Sequence, residues 1–265
     1  MYDTAVIDRG LISKYNPKAW KLWILDWLSI LLGDIIVTDT KNHADYWMSW
    51  PLISLLKKNK IKPLYLGVND RLIFPISNDV KLKENKDFLV HFHGTYIPLQ
   101  GVHVIIEAIK IAHSKISDIK WRLIGTGQTY SKITSLIQQY GLRDKIELID
   151  RVPYEQLNIL INDSTIVLGI FGETEKTNRV IPNKVYEGLA AKKIVITKDT
   201  PAIKEIFNNN ELVCIANNPK DLADAIIKIY DNTAAYDAIK ENGYQKIINN
   251  YTPGNIAENL LKMLE

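Results

Sequence analysis

The sequence predicts an α/β fold, a doubly wound parallel sheet preceded by a partial second α/β unit. Three observations carry this. From residue 88 onward six apolar runs of β type, FLVHF, WRLIG, KIELI, TIVLGIF, KIVITK and LVCIA, alternate with segments of helical period. Strands joined through helices in this way lie parallel. Pro182, Pro201 and Pro219 stand at or near the start of three helical segments, where a missing N–H costs nothing. The first seventy residues hold only two strand patterns, too few for an independent sheet.

In chain order, the spacing predicts a helix over about 17–32, a strand in DIIVTDT (34–40), a helix over about 41–59 and a short strand in KPLYLGV (62–68). The polar stretch NDVKLKENKD, residues 78–87, reads as a linker. The crossover helices are QGVHVIIEAIKIAHSK, QTYSKITSLIQQYG, YEQLNILIN, PNKVYEGLAAK, PAIKEIF and PKDLADAIIKIYDN. Two more helices close the chain, divided at Pro253-Gly254.

Composition narrows the function classes. Of 265 residues 46% are hydrophobic and 24% charged, enough to bury a substantial core. The net charge of +3 comes from interspersed lysines and acids, so no basic block marks a nucleic-acid partner, while an anionic small molecule fits. The single cysteine, Cys214, lies in the apolar run ELVCIA and points to a reducing, cytoplasmic setting rather than thiol chemistry. The longest apolar segment, residues 20–37, is interrupted by Asp26 and Asp34 and does not fit a bilayer span. Trp20, Trp23 and Trp27 recur at helical spacing near Lys18 and Lys21. That pattern suits a packed helix first and a peripheral membrane contact second.

Four stretches carry chemistry. RVIPNKVYEGLA (179–190) opens a helix with Pro182, and the free amides of a first turn attract an anion. Behind Asn183, the residues Lys184, Glu187, Gly188 and Ala191 share a stripe expected to be exposed, with Val185 and Leu189 on the stripe that packs on the sheet. A lysine answers a diphosphate, a carboxylate accepts two ribose hydroxyls, and small residues admit a ligand to the backbone. A surface Lys–Glu pair is the plain alternative.

In HFHGTYIPLQG (91–101) a strand runs into Gly94, where a phosphate can meet bare backbone. His91 and His93 point to one face, as core or hydrogen-bonded histidines by default, since no third ligand stands at metal spacing. LIGTGQTYSK (123–132) holds a Gly-x-Gly turn without the third glycine of a dinucleotide site, and Arg122 and Lys132 read there as surface charges. FGETEKTNR (171–179) is a charged loop at the carboxyl end of a strand, where ligands bind in open parallel sheets; Lys176 and Arg179 could meet phosphate oxygens.

Taken in order, LYLGVNDRLIF, HGTYIPLQGVHVIIEAI, WRLIGTGQ with GLRDKIELIDRVPYEQL, and IPNKVYEGLAAKKIVITKDTPAIKEIF resemble glycosyltransferase family 4, the retaining GT-B enzymes that use nucleotide-activated sugars. The likeness spans about residues 34–230. It implies a Rossmann-like donor domain over residues 71–252, a remnant of the acceptor-side α/β domain over 1–70, and a terminal helix, 253–265, that reaches back to the first. By the same likeness Glu187 binds the donor ribose, Lys184 and nearby amides face the diphosphate, Gly94 admits the phosphates, and Arg151, Val152 and Tyr154 lie beside the base. No metal is implied, and the nucleotide-diphosphate sugar is the substrate.

Arg179 stands where the family's first motif glutamate would fall, and Gln100 where a lysine is common, with Lys176 as its replacement. Most of the amino-terminal acceptor domain has no counterpart, so no catalytic residue is assigned and a separately encoded amino-terminal half is an implied partner. The expected function is retaining sugar transfer to a glycan or lipid-linked glycan at the inner face of the membrane. A non-catalytic nucleotide-sugar-binding subunit, or an epimerase of nucleotide sugars, are the other readings.

Overall fold

A computed structural model of the chain describes residues 1–57, 59–76 and 87–265. The stretch expected to be a linker, 78–87, lies outside these residues except for Asp87.

The chain opens with a π-helical segment, Asp3–Asp8, and helix α1, Pro17–Leu32, whose cap Asn16 accepts from the Lys18 N–H at 2.9 Å. Strand β1, Ile36–Thr38, is followed by helices α2, Lys41–Met48, and α3, Ile53–Lys57, and then by β2, Ile61–Pro63, parallel to β1. The single helix expected over 41–59 is therefore two. Pro51 has no N–H for a helical ladder, and Leu52 adopts a left-handed φ of 63°. The second strand is also shorter and earlier than expected. Pairing stops at Pro63, and the following backbone turns toward the end of the chain, Val68 N–H donating to the Tyr251 carbonyl at 3.0 Å. Trp23 stacks on Trp50 at 5.2 Å inside a small core with Ile30 and Ile53, whereas Trp20 is exposed.

The main sheet follows in strict alternation. Its elements are β3, Leu89–His93; α4, Val102–Lys115; β4, Lys120–Ile124; α5, Tyr130–Gln139; β5, Ile146–Ile149; and α6, Tyr154–Asn162. The second half contains β6, Ile166–Leu168; α7, Asn183–Ala190; β7, Ile194–Lys198; α8, Pro201–Lys204; β8, Val213–Ile215; and α9, Pro219–Asp231. All six strands are parallel in the order β5-β4-β3-β6-β7-β8. The winding reverses between β3 and β6, and a crevice at that switch point is where open parallel sheets take their ligands.

Both faces are buried, as parallel sheets require. Val90 and Phe92 of β3 join Trp121, Ile105 and Ile226 on one side; Val167 of β6 and Val195 of β7 join Val185, Leu189 and Ile161 on the other. Pro182 is the extended cap of α7 (ψ 145°), not its first residue, so the helix begins at Asn183. Helix α8 also ends earlier than PAIKEIF suggests, at Lys204.

Helices α10, Asp237–Asn250, and α11, Pro253–Leu264, are divided at Pro253, where Thr252 and Asn255 form a capping box. Lys62 of β2 donates through Nζ to the Met263 carbonyl of α11 at 2.7 Å. At the other junction Glu205 accepts from the free first-turn amides of Lys41 and Asn42 at 2.7 and 2.6 Å. Among the described residues no helix is long and apolar enough to cross a membrane.

Candidate functional site

The switch point gathers the ends of β3 and β4 and the start of α7. Gly94, directly after β3, has φ 148°, and a Cβ there would lie 2.7 Å from Lys184 Nζ. Only glycine combines that backbone with so close an approach. Gly125, after β4, has φ 138° and its backbone lies against Gly94, where a Cβ would fall 1.9 Å from the Gly94 carbonyl oxygen. The Gly-x-Gly turn thus lets two βα loops press together at the sheet edge.

Lys184 and Glu187 are 4% and 6% exposed, so the stripe expected to be open is covered. Gly188 faces the sheet, where a Cβ would meet Val195 and Val167, and Ala191 is buried as well. Lys184 and Glu187 share one side of the helix, as their spacing requires, but Gly188 belongs to the sheet side and neighbouring loops close over the rest. Lys184 Nζ donates to Gln100 Oε1 and sits 3.9 Å from the centroid of the Phe92 ring. Burial pulls the Lys184 pKa down to about 7, with the Glu187 charge pulling the other way.

Glu187 terminates a chain of hydrogen bonds. His93 Nε2 lies 2.8 Å from Glu187 Oε2, the Tyr154 hydroxyl donates to Oε1 at 3.1 Å, and His91 Nε2 lies 2.9 Å from His93 Nδ1. Burial lowers the pKa of both histidines, His91 most, so both are neutral at neutral pH. A neutral His93 that donates Nε2–H to the carboxylate must accept at Nδ1, which sets His91 as the Nε2–H tautomer. Burial alone would raise the Glu187 pKa; the hydrogen bonds from His93 and Tyr154 and the Lys184 charge outweigh it and hold the carboxylate below its ordinary range.

A cavity of about 250 Å³ opens beside this group, lined by His93, Gly94, Gly125, Thr126, Asp150, Arg151, Val152 and Tyr154. Arg151 Nε donates to Thr126 Oγ1 at 3.1 Å, and Asp150 accepts from the Tyr130 hydroxyl at 3.0 Å. The structure therefore joins six of the expected residues, Gly94, Arg151, Val152, Tyr154, Lys184 and Glu187, around one crevice. Asn183 is exposed at the start of α7. Lys176 and Arg179 stand on the loop between β6 and α7 and face the first unit, where Asp3 of the N-terminal segment pairs with both. Arg122 is bound to Glu147 and Asp163 at 2.6 and 2.9 Å and serves the sheet rather than the crevice.

Sequence reasoning missed His93 as the partner of Glu187, together with Thr126 and Asp150. One signal was available: His93 alternates onto the α7 side of β3 and immediately precedes Gly94.

The sequence profile of the family Glycosyl transferases group 1 matches residues 74–246. An uncharacterized glycosyltransferase of Methanocaldococcus jannaschii is 27% identical over 188 residues, covering 70% of this chain and 48% of that protein. The capsular polysaccharide biosynthesis glycosyltransferase CapM of Staphylococcus aureus is 24% identical over 221 residues, covering 79% and 56%. The chain thus spans about half the length of these curated relatives. Among solved structures, HepE of Anabaena in complex with UDP and glucose superposes with a TM-score of 0.78 at 13% identity, covering 94% of this chain and 67% of that one. Sucrose-phosphate synthase of Thermosynechococcus elongatus superposes with a TM-score of 0.76 at 16% identity, covering 94% and 63%. These likenesses show a shared GT-B-type α/β fold.

Proposed function

The chain belongs to the group 1 glycosyl transferases, and from that premise we propose that it binds a nucleoside-diphosphate sugar at the β3/β6 switch point and supplies the donor side of a sugar transfer of family 4 type, with retention. One juxtaposition carries the reading: Gly94, Lys184 and Glu187 meet at the carboxyl edge of the sheet beside a cavity large enough for a nucleoside. The base enters between Thr126 and Arg151–Tyr154. Glu187 takes the ribose hydroxyls, with the Tyr154 hydroxyl turning aside to open the carboxylate. The diphosphate lies against the backbone at Gly94 and the Lys184 ammonium, with no metal ion, and this preorganised charge stabilises the leaving diphosphate.

HepE, whose structure holds UDP and glucose, and CapM, named for capsular polysaccharide biosynthesis, support a nucleotide-sugar donor and a glycan acceptor, which in this reading is free or lipid-linked. In this reading residues 1–70 are the acceptor side, 71–252 the donor domain and 253–265 the helix that ties them, at the cytoplasmic face of a membrane. The catalytic residue is left unassigned.

Thermal shift and calorimetric titration with UDP and GDP test the proposal. One of them should raise the melting temperature, because a ligand of the folded state stabilises it. Glu187→Ala and Lys184→Ala should each weaken binding by about tenfold or more, the lysine variant most strongly in low salt. Unchanged affinity in both variants removes the site.

A second reading is a nucleotide-sugar-binding subunit without turnover, favoured by Arg179, which is paired with Asp3 and stands where the family resemblance expects a glutamate. Release of the diphosphate from a bound sugar nucleotide in the presence of acceptor distinguishes the two.

A further inference from the structure

Resting on the donor reading above, we infer that Arg179 and Lys176 form a carboxylate-binding subsite beside the donor diphosphate, and that the preferred donor sugar carries a carboxylate, as a uronic acid does. In the structure the subsite holds a carboxylate from the chain's own N-terminal segment. Asp3 Oδ1 lies 2.7 Å from Arg179 Nη2, while Asp3 Oδ2 is 3.6 Å from Lys176 Nζ and 3.7 Å from His43 Nε2. Arg179 is 8% exposed and lies over the Tyr46 ring, its guanidinium carbon 3.5 Å from the centroid, which fixes the plane of the group.

The pair is only half made. The side edge of a guanidinium presents Nε–H and Nη2–H in parallel, matched to the two oxygens of one carboxylate. Asp3 uses Nη2 alone. Arg179 Nε and Asp3 Oδ2 are buried, and neither has a hydrogen-bond partner among the described residues, while the nearby His43 ring is already bound through Nδ1 to Asp39 Oδ1 at 2.6 Å. Two unmatched polar atoms in one buried ion pair are costly. Asp3, tethered by its backbone, stops short of the full fork, whereas a carboxylate free to approach can close both arms.

The location suits a donor sugar. Lys176 and Arg179 follow the stretch Phe171–Gly172, which packs so tightly on Leu99–Gly101 that a Cβ on Gly172 would lie 2.2 Å from the Leu99 carbonyl oxygen. Gln100 in that segment holds Lys184 Nζ. With the nucleoside by Tyr154 and the diphosphate at Lys184, the sugar extends past Gln100 toward this loop.

The test compares donors that differ only in the carboxylate, by calorimetric titration of the full chain: UDP, UDP-glucose and UDP-glucuronate, with GDP, GDP-mannose and GDP-mannuronate as the guanine series. In the series that binds, the acidic sugar should bind about tenfold tighter than its neutral parent, and Arg179→Met should bring that ratio close to one. Asp3→Asn, which weakens the internal occupant, should tighten the acidic donor by a further several-fold, on the order of the lost charge-assisted bond, and leave the neutral donor unchanged. Equal affinity for acidic and neutral sugars, a preference that survives Arg179→Met, or no gain with Asp3→Asn overturns the inference. Binding of neither UDP nor GDP overturns the donor reading and this inference together.

Discussion

His93 Nε2 lies 2.8 Å from Glu187 Oε2, joining the last residue of β3 to the first helix after β6 across 94 positions of the chain. The contact gives a buried carboxylate a fixed direction, with His91 behind it. His93→Phe removes the donor and leaves both Glu187 Oε2 and the His91 N–H unmatched. The variant should lose about 2–3 kcal/mol of stability and bind the nucleotide about tenfold or more weakly. Urea denaturation and calorimetric titration read the two effects, and His93→Asn, which keeps a donor, should recover part of the binding.

Acid should destabilise the fold through the same histidines. Their pKa values are below the ordinary 6.5, burial being the main cause. The unfolded chain takes up protons near 6.5 while the folded chain does not. Stability is therefore full above that pH and falls below it, by about 1.4 kcal/mol per pH unit for each histidine until its folded pKa is reached. Denaturation midpoints measured from pH 7.5 to 5.5 check the slope, and His91→Leu should flatten it.

Nucleotide binding should take up a proton. Burial holds Lys184 at a pKa of about 7, and a diphosphate against its ammonium raises that value. Above pH 7 the free lysine is mostly neutral and must be protonated on binding. Affinity should then fall as pH rises, approaching about tenfold per unit while the bound lysine stays charged. Titration at pH 8 in two buffers of different ionisation enthalpy should show proton uptake, and Lys184→Met should abolish it.

Gly125→Ala tests the packing of the two βα loops. The added Cβ would meet the Gly94 carbonyl oxygen at 1.9 Å on a backbone of φ 138°. Relief requires the Gly94 loop to move away from Lys184. A loss of about 2 kcal/mol or more is expected, with weaker nucleotide binding, whereas Gly141→Ala, where a Cβ meets nothing within 4 Å, should carry only the strain of its positive φ, roughly 1 kcal/mol.

The main sheet was legible because each β run is short and mostly apolar and each helix carries one apolar stripe, so the alternation from residue 88 onward maps onto β3 through α9 with few shifts. The first unit was less legible. The break at Pro51 and Leu52 sits inside an apolar periodic pattern that reads through it, and the second strand gives way after the last ladder bond, from the Leu64 N–H to Thr38, because the backbone then turns to Tyr251.

At the site, the spacing of Lys184 and Glu187 placed both on one side of a helix at the right edge of the sheet. Their burial was not readable there, since it depends on Gln100, Phe92 and Tyr154, which reach α7 from other elements. The pairing of Arg179 with Asp3, 176 positions away, left no local trace at all.

The sequence by itself determined the order of strands and helices, the glycine at each close approach and the residue types gathered at the sheet edge, because those follow from local period and backbone sterics. Only the tertiary structure decided which charges are sealed, which are paired and which keep an unmatched arm. Desolvation and hydrogen bonding depend on atoms brought together in space by packing, and sequence distance says nothing about them.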